Sequence, residues 1–261
     1  MQPEAFEHFT RRLTENLAAD PRVVGLVAVG SMADAERRDR WSDHDFFVIV
    51  DAGTQMDFRQ QLNWLPDADR MAVAYQETQH GLKVIYDDGH LLEFAVFDAD
   101  ELRAARINDY ALLLDRNDIA GILDKLYQSS PGQPSDDAFL WGQLIAHLIV
   151  GLGRCARGES ISGQVFIKHY AVADLLPLIA RYIQPEQDGK LDTLDPLRRF
   201  EASYPALGGR IAELMCAQPI PCANGLIALA TEHFEQNSTF PAAGFAALDR
   251  FIRSNGLRTG L

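Results

Sequence analysis

Asp43 and Asp45 stand at the head of an aromatic and β-branched run, Phe46-Phe47-Val48-Ile49-Val50. Such a run favours a strand, and residues two apart on a strand share one face. The two carboxylates are then roughly 7 Å apart at the backbone. That spacing lets both converge on one metal ion, or on two ions about 4 Å apart. A third acid, Glu93, interrupts the apolar segment Leu91-Leu92-Glu93-Phe94-Ala95-Val96-Phe97. A lone carboxylate in such a strand is costly to bury unless it is partnered. If this strand lies beside the Asp43 strand, three carboxylates meet at one point. That is tolerable only with cations present or with a raised pKa on one member. Upstream, the apolar run Val23 to Val29 ends on Gly30-Ser31. Gly30 lets backbone approach a ligand closely. Ser31 offers a hydroxyl and a backbone N–H to phosphate oxygens, the more so if a helix starts there.

Each signal also has a plainer explanation. Asp43 and Asp45 could be a solvated strand start, Gly30-Ser31 an ordinary turn, and Glu93 one half of an ion pair with Lys83 or an arginine. The weight lies in their conjunction and order. His44 points to the opposite face from its two neighbours, which makes it a packing residue rather than a ligand. His90 does not share the face of Glu93 if the strand is regular.

These groups must be positioned by a folded domain. The chain has 261 residues, 47% of them hydrophobic, with a formal net charge of -13. The first 130 residues carry -11 of that charge and the remainder -2. An acidic first half argues against a nucleic-acid partner, which would need a basic footprint. It suits divalent cations and a positively charged substrate. The three cysteines, Cys155, Cys216 and Cys222, have no metal-ligand spacing and read as reduced core thiols of a cytoplasmic protein. The longest apolar run, Phe139 to Gly153, contains Gln143 and His147 and is too short and polar to span a bilayer. The N-terminus has no secretory signal pattern.

Periodicity predicts a helix up to Asp20, strands at Val23–Val29 and Asp43–Val50, and a helix over Thr54–Leu65. A short strand follows at Met71–Tyr75. Leu82–Tyr86 and His90–Phe97 flank Asp87-Asp88-Gly89 and read as a hairpin. Helical segments lie around Ala99–Arg106 and Ile119–Tyr127. Ser129 to Ser135 reads as a linker. Beyond it only helices are expected: Ser135 to Arg157 with Ser135 as N-cap, Ile161–Ile183, Leu194–Ala202, Ala206–Ala217, Ala223–Gln236 and Ala242–Asn255. The organisation is an α/β domain over 1–130 and an all-helical domain over 131–261.

Gly30-Ser31, then Asp43-His44-Asp45, then Glu93 on a later strand resembles the nucleotidyltransferase superfamily that includes DNA polymerase beta. The small antibiotic-modifying members, the lincosamide and aminoglycoside nucleotidyltransferases, resemble it best. The resemblance implies an α/β (α+β) nucleotidyltransferase domain with a mixed sheet, followed by an all-α helical-bundle domain. It further implies that Asp43 and Asp45 bind Mg2+ together with the triphosphate of ATP or another nucleoside triphosphate. Gly30 and Ser31 would hold the outer phosphates, and Glu93 would be a further metal ligand or the general base. The implied reaction moves a nucleoside monophosphate to a hydroxyl of a small molecule and releases pyrophosphate. Many relatives follow Gly-Ser with a small residue, a basic residue and another glycine. Here Met32-Ala33-Asp34-Ala35-Glu36 follows, and Arg37, Arg38 and Arg40 come later as a run that is more often solvated than a phosphate clamp. That departure keeps a non-catalytic, antitoxin-like member of the same fold as the alternative. A homodimer is compatible with this reading, and Tyr75 and Tyr86 are candidates to line a substrate pocket. Lys168 reads as a solvent-exposed lysine or as one reaching a phosphate.

Overall fold

The computed structural model describes residues 2–107, 109–129, 135–189, 191–192 and 195–257. The chain divides into two compact units, Met1–Gly132 and Gln133–Leu261. Residues 130–134 of the expected linker lie outside the described residues, as does Leu194; the helix expected over Leu194–Ala202 is confined to Phe200–Ser203, residues 196–199 being turn rather than helix.

In the first unit, α1 (Pro3–Ala19) buries Phe6, Phe9, Leu13 and Leu17 along one stripe, the spacing of a core-facing helical face. Among the described residues the sheet has six strands, β1 (Val23–Val29), β2 (His44–Val50), β3 (Met71–Gln76), β4 (Gly81–Tyr86), β5 (Leu91–Phe97) and β6 (Tyr110–Asp115). Their order is β3-β4-β5-β2-β1-β6. Only β2 and β5 run parallel; every other neighbouring pair is antiparallel, so the sheet is mixed. The β4–β5 hairpin closes where Gly89 takes a φ of 83°, a left-handed conformation that glycine adopts freely.

Alternation sorts the strand side chains onto two faces. On one, Leu26, Ala28, Phe46, Val48, Leu92, Phe94 and Val96 pack with α1 and with Phe58 of α3 (Gln55–Gln60). On the other, Val27, Ile49, Ala95 and Phe97 pack with Leu102 of α4 (Ala99–Leu102) and with Ile119, Leu123 and Leu126 of α5 (Ile119–Ser129). A short helix, α2 (Gly30–Ala33), follows β1 directly. Buried Arg59 ties the layers together: its guanidinium donates to the Val96 carbonyl at 2.6 Å and pairs with Glu101 at 2.8 Å.

The helix expected around Ala99–Arg106 ends at Leu102; one further helix is shortened and one strand was not expected. The helix expected over Thr54–Leu65 stops at Gln60, because Trp64 leaves the helical path to pack edge-on against Phe46 and Phe94. Its indole N–H donates to the Phe58 carbonyl at 3.1 Å. Strand β6, Tyr-Ala-Leu-Leu-Leu-Asp, lacks polar–apolar alternation. It is created by pairing with β1.

The second unit is helical: α6 (Asp137–Ala156), α7 (Ser160–Gln164), α8 (Ala171–Tyr182), α9 (Phe200–Ser203), α10 (Pro205–Cys216), α11 (Pro219–Phe234) and α12 (Ala242–Ser254). Asp136, not Ser135, caps α6, its side chain accepting from Phe139 N. One π-helical stretch, Val165–Tyr170, joins α7 to α8. Among the described residues α6 is the one helix long and apolar enough to cross a bilayer. Its Leu140, Trp141, Leu144, Leu148 and Leu152 instead form the centre of this unit's core, with Trp141 boxed by Phe234, Phe240 and Phe245. All three cysteines are free; Cys222 is buried, which pushes its thiol up to about 11, whereas Cys216 is exposed rather than a core residue.

Candidate functional site

Strand register builds the site. Asp45 on β2 is paired with Glu93 on β5, Glu93 with Lys83 on β4, and Lys83 with Tyr75 on β3. Directly paired residues project to the same face. Tyr75, Lys83, Glu93 and Asp45 therefore form one row across the sheet, on the face that carries Ile49, Ala95 and Phe97. Asp43 immediately precedes β2 and is half-buried, as Asp45 is. Just past the end of β1, Gly30 lies against Asp45. Its φ is 60°, and a Cβ placed on it would lie 2.9 Å from Asp45 Oδ2. The carboxylate thus sits where only a glycine leaves room. Next to it, the Ser31 hydroxyl is buried with no hydrogen-bond partner. An unsatisfied buried hydroxyl is costly, and this one belongs to the residue read as a phosphate contact.

The three acids are not alike in charge environment. Glu93 Oε1 is 2.9 Å from Lys83 Nζ, and the same ammonium lies 3.0 Å from Glu77 Oε1. The hydrogen bonds to Glu93 first, and then to Glu77, raise the Lys83 pKa above its ordinary value, so it stays charged. Among the described residues no group of three or more His, Cys, Asp or Glu side chains is set to hold a metal ion. The structure brings Asp45 and Glu93 onto one row, beside Gly30, and joins Glu93 to a lysine. The sequence named that ion pair as the alternative for Glu93, and it is realised. The donor set nevertheless fits a hard divalent cation: carboxylate oxygens, no thiol, an unpartnered hydroxyl and a glycine cradle.

The loop after Ser31 is braced in a way the sequence does not announce. The Arg38 guanidinium donates to the Met32 carbonyl at 2.9 Å and to the Ser31 carbonyl at 3.4 Å, and it stacks over Phe6. Arg37 pairs with Asp109 at 3.0 Å, and Arg40 lies over Trp41. Arg38 thus braces the Gly30–Ser31 turn and Arg37 is tied to Asp109, whereas Arg40 is exposed, as expected of a solvated run. What could have flagged Arg38 is its position seven residues after Ser31, across a tight loop with free carbonyls.

Gly30 offers a direct check on this geometry. Gly30→Ala puts a methyl against Asp45 Oδ2 in a left-handed backbone that costs an L-residue about 1–2 kcal/mol. The expected result is a melting temperature lower by several degrees and Mn2+ binding weakened at least about tenfold. Calorimetric titration of the metal and a thermal melt measure both. Unchanged Mn2+ affinity would separate Gly30 from the site.

The opposite face holds the remaining ionisable groups. His44 is fully buried, stacked on Phe6 at 3.7 Å between ring centroids, with its Nδ1 2.8 Å from His90 Nε2. Thr10 Oγ1 donates to the Phe6 carbonyl, so the His44 Nε2 beside it at 3.0 Å carries the proton and donates. His44 Nδ1 then accepts from His90. Tyr86 lies on the same buried face and donates to the Pro66 carbonyl at 2.6 Å, so it lines no pocket with Glu93. Tyr75, in the row and half-exposed, remains. In the second unit, Lys168 donates to Gln164 Oε1 on its own helical segment.

No family model matches the chain, and no curated protein does. Among the solved structures similar to it, two match over nearly their whole length. One is a nucleotidyltransferase-like protein from Exiguobacterium sibiricum, 14% identical, covering 98% of this chain and 96% of that one with a TM-score of 0.31. The other is an aminoglycoside 6-adenyltransferase from Bacillus subtilis, 9% identical, covering 94% of this chain and 97% of that one with a TM-score of 0.40.

Proposed function

We propose that the chain is a nucleotidyltransferase that moves a nucleoside monophosphate, AMP foremost, from a nucleoside triphosphate to a hydroxyl of a small, cationic molecule. The observation that carries this is the row of Asp45 and Glu93 against the Gly30 cradle, with the Ser31 hydroxyl buried and unpartnered beside it. Asp43, Asp45 and Glu93 would hold Mg2+, which when bound neutralises triphosphate charge. Gly30 gives the phosphates close access to backbone, and Ser31 Oγ gains the acceptor it lacks. The acceptor hydroxyl oxygen forms a bond to the α-phosphorus, the bond to the β-phosphate oxygen breaks, and pyrophosphate leaves with that electron pair. The hydroxyl proton passes to a general base, the role Glu93 would take if it is not itself a metal ligand. Tyr75, half-exposed at the end of the row, would line the acceptor side.

The assay incubates the protein with Mg2+, each of the four common ribonucleoside triphosphates and a panel of polyhydroxylated amines, and reads pyrophosphate. Release that depends on both acceptor and metal is expected. Silence across the whole panel would defeat the proposal. The Lys83–Glu93 ion pair favours a second reading, a nucleotide-binding protein without turnover. It predicts calorimetric binding of ATP with Mg2+ and no pyrophosphate.

A further inference from the structure

We propose that Lys83 is an exchangeable internal cation, occupying Glu93 until a divalent ion displaces it, with Glu77 as the site that keeps the released ammonium paired. This rests on the proposed metal role of Glu93. The geometry is specific. Lys83 is held from one strand away, opposite Glu93 in register. Its Nζ touches one oxygen of each acid, at 2.9 Å and 3.0 Å. Both acids are open to water, Glu93 with 37% and Glu77 with 47% of its side chain exposed, whereas Lys83 keeps 22%. The lysine is therefore the more fixed partner and the acids the more adaptable ones.

Physical necessity gives such a lysine a purpose. Asp45 and Glu93 stand opposite one another in register, and two carboxylates so placed raise the cost of each other's charge. One ammonium offsets part of that repulsion in the metal-free protein and so holds the row together. Exposed ion pairs are individually weak, so the pair can open. Glu77 lowers the barrier to exchange, because the ammonium leaving Glu93 does not become solitary. Glu77 thus favours the metal, and Lys83 opposes it.

The test is direct binding of Mn2+ alone, read by calorimetry and by the electron paramagnetic resonance signal of the free ion, with no nucleotide or turnover involved. Lys83→Met should bind Mn2+ roughly tenfold tighter than the unmodified chain, because a positive charge beside the ligand is gone. Lys83→Arg should bind no tighter than the unmodified chain, which separates charge from a packing change. Glu77→Gln should bind about threefold more weakly, since its lysine then commits to Glu93 alone. The double variant Lys83→Met/Glu77→Gln should behave as Lys83→Met. Affinity that stays within twofold in Lys83→Met, while Asp45→Asn still abolishes binding, overturns the exchange and leaves the metal site standing. Mn2+ binding that survives Asp45→Asn overturns the site, and the exchange with it. If Lys83→Met fails to fold, Lys83→Gln carries the same prediction.

Discussion

Asp45→Asn is expected to lower pyrophosphate release by about a thousandfold or more, with the protein still folded. Asparagine has the same shape, so it fits against Gly30 as aspartate does, where Oδ2 lies 2.9 Å from the position a Cβ would take. What it removes is one negative charge at the point where cation and triphosphate must be held. Loss of a preorganised charged group that acts in the transition state typically costs on the order of a hundred- to ten-thousandfold in rate. Asp45 is the member of the acid set expected to matter most, because it adjoins the glycine turn on one side and Glu93 on the other. Stability should change little, since the residue is half-buried at a strand's start and outside the hydrophobic clusters. A melt within a few degrees of the unmodified protein, together with lost activity, is the supporting result. Activity near the original level would remove Asp45 from the mechanism and leave the row as an electrostatic feature of the sheet.

That row also shows how far the sequence could be taken. Strand alternation sufficed to put Asp43 and Asp45 on one side and His44 on the other, because a period of two is a strong local constraint. The buried His44 and the half-buried Asp45 follow that pattern. The hairpin before Glu93 was legible from Asp87-Asp88-Gly89, where the left-handed Gly89 needs no tertiary help. What could not be read is anything set by pairing between distant strands. The register that opposes Asp45 to Glu93 is a property of the assembled sheet; the Glu93–Lys83 pairing lies inside the hairpin and was open to the sequence as an alternative, which the fold realises. Strand β6 is the same case, since its Leu112-Leu113-Leu114 could as well be helical until β1 pairs with it. Arg38 belongs here too. A run of charged residues reads as solvated, and only the folded loop reveals carbonyls of Ser31 and Met32 within its reach.

Below pH 6.5 the folded first unit should lose stability steeply, and the histidine pair on the far face should account for it. Burial, together with the charge of His90, lowers the His44 pKa to about 3; burial lowers His90 to about 4. Asp88 works the other way on His90, and Arg38 adds to the lowering of His44. In the unfolded chain both rings titrate near 6.5. Above that pH neither state holds these protons, and the folded state keeps its full advantage. As pH falls from 6.5 toward 4, the unfolded chain takes up two protons that the folded chain refuses, so stability is lost in that window. The slope is then up to about 2.7 kcal/mol per pH unit, or about 4 kcal/mol lost by pH 5. The hydrogen-bond chain sharpens the effect. His44 Nε2 already donates toward Thr10, and Nδ1 accepts from His90, so a proton added at Nδ1 meets an N–H at 2.8 Å unless the His90 ring changes tautomer. Asp20, Asp67 and Asp88, held below the usual carboxylate range by arginines and a backbone N–H, act only at lower pH, as it falls past 4. Chemical denaturation at closely spaced pH values separates the two windows. His90→Asn should roughly halve the slope between pH 6.5 and 4, and His44→Gln/His90→Asn should nearly flatten it while leaving the carboxylate limb in place. An unchanged slope in the double variant would assign the acid sensitivity to other groups.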